Sequence, residues 1–135
     1  MDNLKFYGDE PYKLIMLCGD LDESGILGQY VQDISPRIGV VKVFKKNTSE
    51  EAMLSEVAEV IHDYCSGLVT IVGQDKGAEI AYLCARQNPR IINSVVMLES
   101  KQMSSKDFDP IEGVKLCSVE KEHFVEKIHA LMASE

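Results

Sequence analysis

Apolar positions fall in short blocks along the chain, and their period changes from block to block. Tyr12–Cys18 (YKLIMLC) is an apolar run closed by Gly19, which predicts a strand. Ile26, Leu27, Tyr30, Val31 and Ile34 recur at three- and four-residue spacing, the stripe of a helix that Pro36 ends. Ile38–Phe44 (IGVVKVF) is rich in β-branched residues and predicts a second strand. Thr48 and Glu51 have the spacing of a capping box, opening a helix striped by Met53, Leu54, Val57, Ile61 and Tyr64. Leu68–Val72 (LVTIV) is the third strand. The next helix begins just after Asp75, turns Ala78, Ala81, Tyr82 and Ala85 inward, and stops before Pro89. Ile92–Leu98 and Val114–Val119 are the fourth and fifth strands, separated by a polar, weakly periodic loop, Ser100–Gly113. Phe124, Val125, Ile128, Leu131 and Met132 stripe a closing helix.

Alternating strands and helices with near-continuous apolar strands predict a parallel sheet covered on both faces, an α/β three-layer α/β/α sandwich. Right-handed crossovers and one switch point predict five strands in the order 2-1-3-4-5. That order puts a functional site at the carboxyl ends of the first and third strands, where loops begin at Gly19 and Gly73.

Composition narrows the classes. A chain of 135 residues, 45% hydrophobic and 27% charged, suits a single domain over residues 1–135. Its net charge of −8 argues against a nucleic-acid partner, and Lys42, Lys45 and Lys46 are too short a basic run to offset it. No stretch reaches the apolar length of a membrane span, and the acidic start MDNLKFYGDE does not resemble a signal peptide, so no membrane partner and a cytoplasmic location are expected. Cys18 and Cys117 lie in strand-like runs, and Cys65 and Cys84 in or beside helical patterns. With no CxxC or Cys/His ligand spacing, four free thiols and no metal site are expected.

The segment VTIVGQDKGAEIAYLCARQNPRIINSVVMLES (Val69–Ser100) resembles the nucleophile-elbow region of the α/β-hydrolase superfamily. It runs strand, then Gly73-Gln74-Asp75-Lys76-Gly77, then an Ala-rich helix. The glycines permit a turn too tight for side chains, which raises its middle residue at the strand's end. Asp75 in that place resembles the haloalkane dehalogenase and epoxide hydrolase branch, whose carboxylate attacks carbon to form an ester. Lys13–Gly39 resembles the family's first strand, oxyanion loop and first helix, with Cys18-Gly19 in place of His-Gly. The resemblance implies a minimal hydrolase-like core with Asp75 as nucleophile and the backbone N–H groups of Asp20, after Gly19, and Lys76 as oxyanion donors. It further implies Glu99 as an acid and His123 as the base, with no cofactor. In a second alignment of KLCSVEKEHFVEKIHALMASE, Glu122 takes an acid position and no histidine remains.

The sequence also departs from that branch. Fourteen residues, Ser100–Gly113, stand where relatives carry a pocket-forming lid, and at least one strand is missing. There is no Trp to hold a leaving halide, and no Tyr in a lid position.

Plainer roles compete for the same residues. Asp75 would serve as the N-cap of the following helix, Glu99 as an ordinary strand-end carboxylate, and His123 as a solvated residue. His62 and His129 lie in helices far from the switch point. Cys18 with Ser24 resembles a phospho-cysteine loop, but Asp20, Asp22 and Glu23 would repel the dianion. Asp20, Asp22, Asp75, Ser100 and Lys121 match the acids, hydroxyl and lysine of a receiver domain, a phospho-acceptor, although a GxDxG turn running straight into a helix fits the elbow better. Two functions follow. One is a hydrolase-like protein that has lost catalysis and serves binding or assembly, with a homodimer and room for a small-molecule ligand. The other is a minimal hydrolase of a small ester, epoxide or halide.

Overall fold

The computed structural model describes residues 4–7, 12–18, 39–43, 49–74, 76–98 and 108–133. In chain order these form β1 (Leu4–Tyr7), β2 (Tyr12–Cys18), β3 (Gly39–Val43), α1 (Glu50–Tyr64), β4 (Cys65–Gln74), α2 (Lys76–Gln87), β5 (Ile92–Leu98), β6 (Lys115–Val119), a 3-10 turn (Lys121–His123) and α3 (Phe124–Ala133). The helix expected around Ile26–Ile34 lies outside the described residues.

The sheet has six strands in the order β1-β3-β2-β4-β5-β6. Strands β3, β2, β4, β5 and β6 pair in parallel, and β1 pairs antiparallel with β3 through Leu4–Lys42 to Tyr7–Gly39. The expectation of five all-parallel strands is thereby corrected. β1 escaped the sequence reading because it is only four residues, LKFY, in a polar context. Among the described residues β1 is paired on one side only, and an edge strand needs no apolar continuity like that of a central strand.

Two layers of core sit on the sheet. Ile15, Val69, Ile71, Val95 and Met97 share one cluster with Met53, Val57, Val60 and Ile61 of α1 and Ala78, Ala81, Tyr82 and Ala85 of α2. The intervening strand residues Leu14, Val72, Val96 and Leu98 face the other way and are equally buried, as are Phe124 and Ile128 of α3. Each such aliphatic side chain contributes about 1.5–3 kcal/mol on burial. That two-sided demand is why LVTIV and SVVML read as continuous apolar runs.

Three local differences have simple causes. Ser49, not Thr48, caps α1: its backbone is extended and its Oγ accepts the Ala52 N–H at 3.1 Å. Two adjacent hydroxyl residues make the cap ambiguous by one position in sequence, and Ala52 cannot complete a capping box. β4 starts at Cys65, three residues before Leu68, because α1 runs into it without a loop; the extended Cys65 donates its N–H to the Ile61 carbonyl. Finally, Ile111 and Val114 form a bridge closed by a turn in which Gly113 takes φ +82°, a conformation that favours glycine.

Among the described residues no helix is long and apolar enough to cross a membrane. The cap gives a direct test: Ser49→Ala should lower the unfolding free energy by about 1 kcal/mol. Urea denaturation with an unchanged midpoint would show that the Oγ bond does not hold α1.

Candidate functional site

The carboxyl edge of the sheet is levelled by its register. Gln74 of β4 aligns with Leu98 of β5, and Leu98 with Val119 of β6. The residues next in the chain are Asp75, Glu99 and Glu120. Asp75 and Glu99 lie outside the described residues, as do Gly19 and Asp20 beyond the end of β2.

Asp75 is flanked directly by two regular elements. β4 ends at Gln74 and α2 begins at Lys76, so one residue converts strand to helix. Such a short turn presses the two backbones together. A Cβ on Gly73 would fall on the carbonyl of Gly77 and stand 2.5 Å from the Ala78 nitrogen. Gly77 is itself buried against that approach. A side chain at position 73 has no room in this turn, which accounts for the first glycine of the GxDxG spacing in physical terms. Lys76 is the first residue of α2, so its N–H belongs to the set of donors that no intrahelical carbonyl satisfies.

His123 ends the 3-10 turn after β6, where its backbone N–H donates to the Glu120 carbonyl at 3.0 Å. Its side chain is 66% exposed, and Nδ1 stands 3.5 Å from a Glu126 carboxylate oxygen on α3. β5 lies between β6 and β4. With parallel strands about 4.8 Å apart, the ends of β4 and β6 are separated by about 10 Å. Glu122, the alternative acid, is exposed in the same turn.

The last part of the stretch expected as loop, or loop with a turn of helix, is anchored. Tyr82 on α2 donates its hydroxyl to the Asp109 carbonyl at 2.9 Å and packs its ring against Phe108, centroids 4.6 Å apart. Arg86, one helical turn on, places its guanidinium carbon 5.9 Å from the Tyr82 ring centroid. Phe108–Gly113 thus lies along α2. The sequence signal was the pair Phe108 and Ile111 in an otherwise polar run, too sparse to carry a period.

The thiols are free at Cys65, Cys84 and Cys117. Burial pushes Cys65 up to about 11 and Cys84 up to about 12, by desolvating the thiolate, so neither is a nucleophile near neutrality. No group of three metal-binding side chains occurs among the described residues. A cavity of about 630 Å³ does occur, but at the amino end of β4, lined in part by His62, Asp63 and Cys65. Sequence reasoning assigned His62 no role, because helical periodicity says nothing about a void beyond a helix end.

No protein-family model and no curated protein sequence matches the chain. Solved structures do. A Bacillus megaterium epoxide hydrolase bound to an inhibitor superposes with a TM-score of 0.58 at 18% identity, over 71% of this chain and 38% of that one. The thioesterase domain from the curacin biosynthetic pathway gives 0.58 at 16% identity, over 73% and 44%. Mouse alpha/beta hydrolase domain-containing protein 10 gives 0.54 at 13%, over 70% and 43%. The fold is that of the α/β-hydrolases. At these identities the likeness concerns the fold alone, and the chain spans about two fifths of the length of these structures.

In this α/β-hydrolase fold the glycine approach is the feature most open to test. Gly73→Ala should cost about 3 kcal/mol or more, since the new methyl meets backbone atoms that cannot move aside. A circular-dichroism melt within a degree of the parent's would mean that the β4–α2 turn relaxes freely.

Proposed function

We propose that this chain is a catalytically degenerate α/β-hydrolase-like protein that acts as a binding or assembly module. The observation that carries this reading is the position of His123. A base serving Asp75 must reach a water beside that carboxylate, within hydrogen-bond distance. His123 instead belongs to the turn after β6, beyond β5, with an exposed ring beside Glu126. The short Glu120–His123 turn, closed by its own hydrogen bond, gives the ring little means of folding back across β5. Anchorage of Phe108–Gly113 along α2 also favours a carboxyl edge without a water-excluding cap.

A second reading is favoured by the β4–α2 turn. The Gly73–Gly77 approach is what a nucleophile elbow requires, so a minimal hydrolase would use Asp75 as nucleophile, the Lys76 and Asp20 N–H groups as oxyanion donors, Glu99 as the acid and His123 as the base that activates water. The receiver-like reading has no comparable observation behind it. The two readings part on turnover. Purified protein assayed with p-nitrophenyl acetate, styrene oxide and 1-chlorobutane should show no hydrolysis above an Asp75→Asn control. Hydrolysis abolished by that substitution would establish the minimal hydrolase.

Assembly is expected through an edge. Among the described residues β6 is paired on one side only, and α3 follows it after the Lys121–His123 turn. We expect a cytoplasmic homodimer formed through β6 or the segment from Glu122 onward. Sedimentation at micromolar concentration should then give twice the 15.1 kDa chain mass. A species of single-chain mass alone at 100 µM, on the order of the weakest useful dimer affinities, would remove the assembly half of the proposal.

A further inference from the structure

The amino end of the sheet, opposite the carboxyl edge, carries features that neither the elbow nor the edge strand explains. Cys65 opens β4 and Gln74 closes it, so the two ends stand roughly 25–30 Å apart at the usual rise per residue. At this end a cavity of about 630 Å³ opens beside the last turns of α1. Its size falls within the range of about 300–1,000 Å³ found for small-molecule sites. Ala58, Ile61, Cys65 and Ile91 give it an apolar lining. Leu68 and Ile91 are the large apolar side chains left exposed among the described residues, at 50% and 38%. Both sit at this same end, joined through the Val69 N–H to Ile91 carbonyl bond. Ile91 itself lines the cavity, and an exposed apolar side chain there, beside Ala58, Ile61 and Cys65, points to a ligand with an apolar body.

The electrostatics of the rim choose its charge. Glu59 and Asp63 line the cavity four residues apart on α1, so they stand on one face and repel each other. Among the described residues nothing pairs with Glu59, and Asp63 takes a contact from His62 Nδ1 at 3.0 Å on one oxygen only. The C-terminal end of α1 adds the negative pole of its aligned peptide dipoles, with His62 as the basic side chain in that turn. No Lys or Arg lines the cavity among the described residues. Burial keeps the Cys65 thiol protonated, so it serves as apolar wall. Two carboxylates and a helix C-terminus around an apolar floor complement a cation with a hydrophobic body.

We propose that the amino-end cavity binds a small amphipathic organic amine, its apolar body against Ile61, Cys65 and Ile91 and its ammonium between Glu59 and Asp63. This goes beyond the carboxyl-edge reading and does not rest on it. Binding here requires neither Asp75 nor His123.

The chain has no tryptophan, so indole fluorescence reports the ligand alone. Tryptamine, the neutral tryptophol and the anionic indole-3-propionate share one ring system and differ in charge. Fluorescence anisotropy at low salt should rank them tryptamine, tryptophol, then indole-3-propionate. Glu59→Gln with Asp63→Asn should weaken tryptamine about three- to tenfold and leave tryptophol within about twofold, as expected for solvent-facing charges. Ala58→Phe, at an exposed helix position lining the cavity, should abolish binding of all three while the circular-dichroism spectrum stays unchanged. Asp75→Asn should leave tryptamine binding as it is, which separates failure here from failure at the carboxyl edge. Equal affinity for the three indoles, no loss in the double variant, or no tryptamine binding at millimolar concentration would each overturn the proposal.

Discussion

The contact on which the rest of this structure depends is backbone against backbone: Gly73 at the end of β4 beneath the carbonyl of Gly77 in the first turn of α2. It lets the chain reverse from strand to helix through one residue. α2 is thereby laid along the sheet from which it emerges, with Ala78, Ala81 and Ala85 small enough to bring the helix close. Tyr82 then lies where it can grip Phe108 and Asp109, which sets the approach to β6 along the helix flank. A larger residue at position 73 would lift the start of α2 and with it the shared core.

Much of this was legible in the sequence because the sheet is buried on both sides. Buried strands cannot alternate apolar with polar, so LVTIV and SVVML announce themselves as runs, and their alternation with helical stripes restricts the topology. The glycine at 73 was legible for the same kind of reason: a close approach of backbones leaves few residue choices. Edges and junctions were not. β1 pairs on one side and needs no apolar run, and the α1–β4 junction contains no loop to mark it. The cap at Ser49 was misread by one position because Thr48 beside it offers the same chemistry.

The candidate site was legible only as residue types. Sequence placed Asp75, Glu99 and His123 after the third, fourth and fifth parallel strands, but their separation is a property of the sheet, not of any motif. Two strand spacings decide whether a histidine can serve a carboxylate, and no local pattern encodes that distance. The amino-end cavity was invisible for a related reason. It is bounded by α1, the start of β4 and the α2–β5 connection, segments whose only common feature is where the fold brings them.

The loopless passage from α1 into β4 has a mechanical consequence. Helix ends ordinarily fray, opening and closing at little cost. The last N–H bond of α1 is made by Cys65, which also pairs with Tyr12 as the first rung of a central strand. Pairing with β5 begins only at Val69, so unwinding this end would pull on a strand held there by β2 alone. The wall of the amino-end cavity is therefore tethered at one point rather than a free tip, so fraying of α1 there must first break the Tyr12–Cys65 pairing.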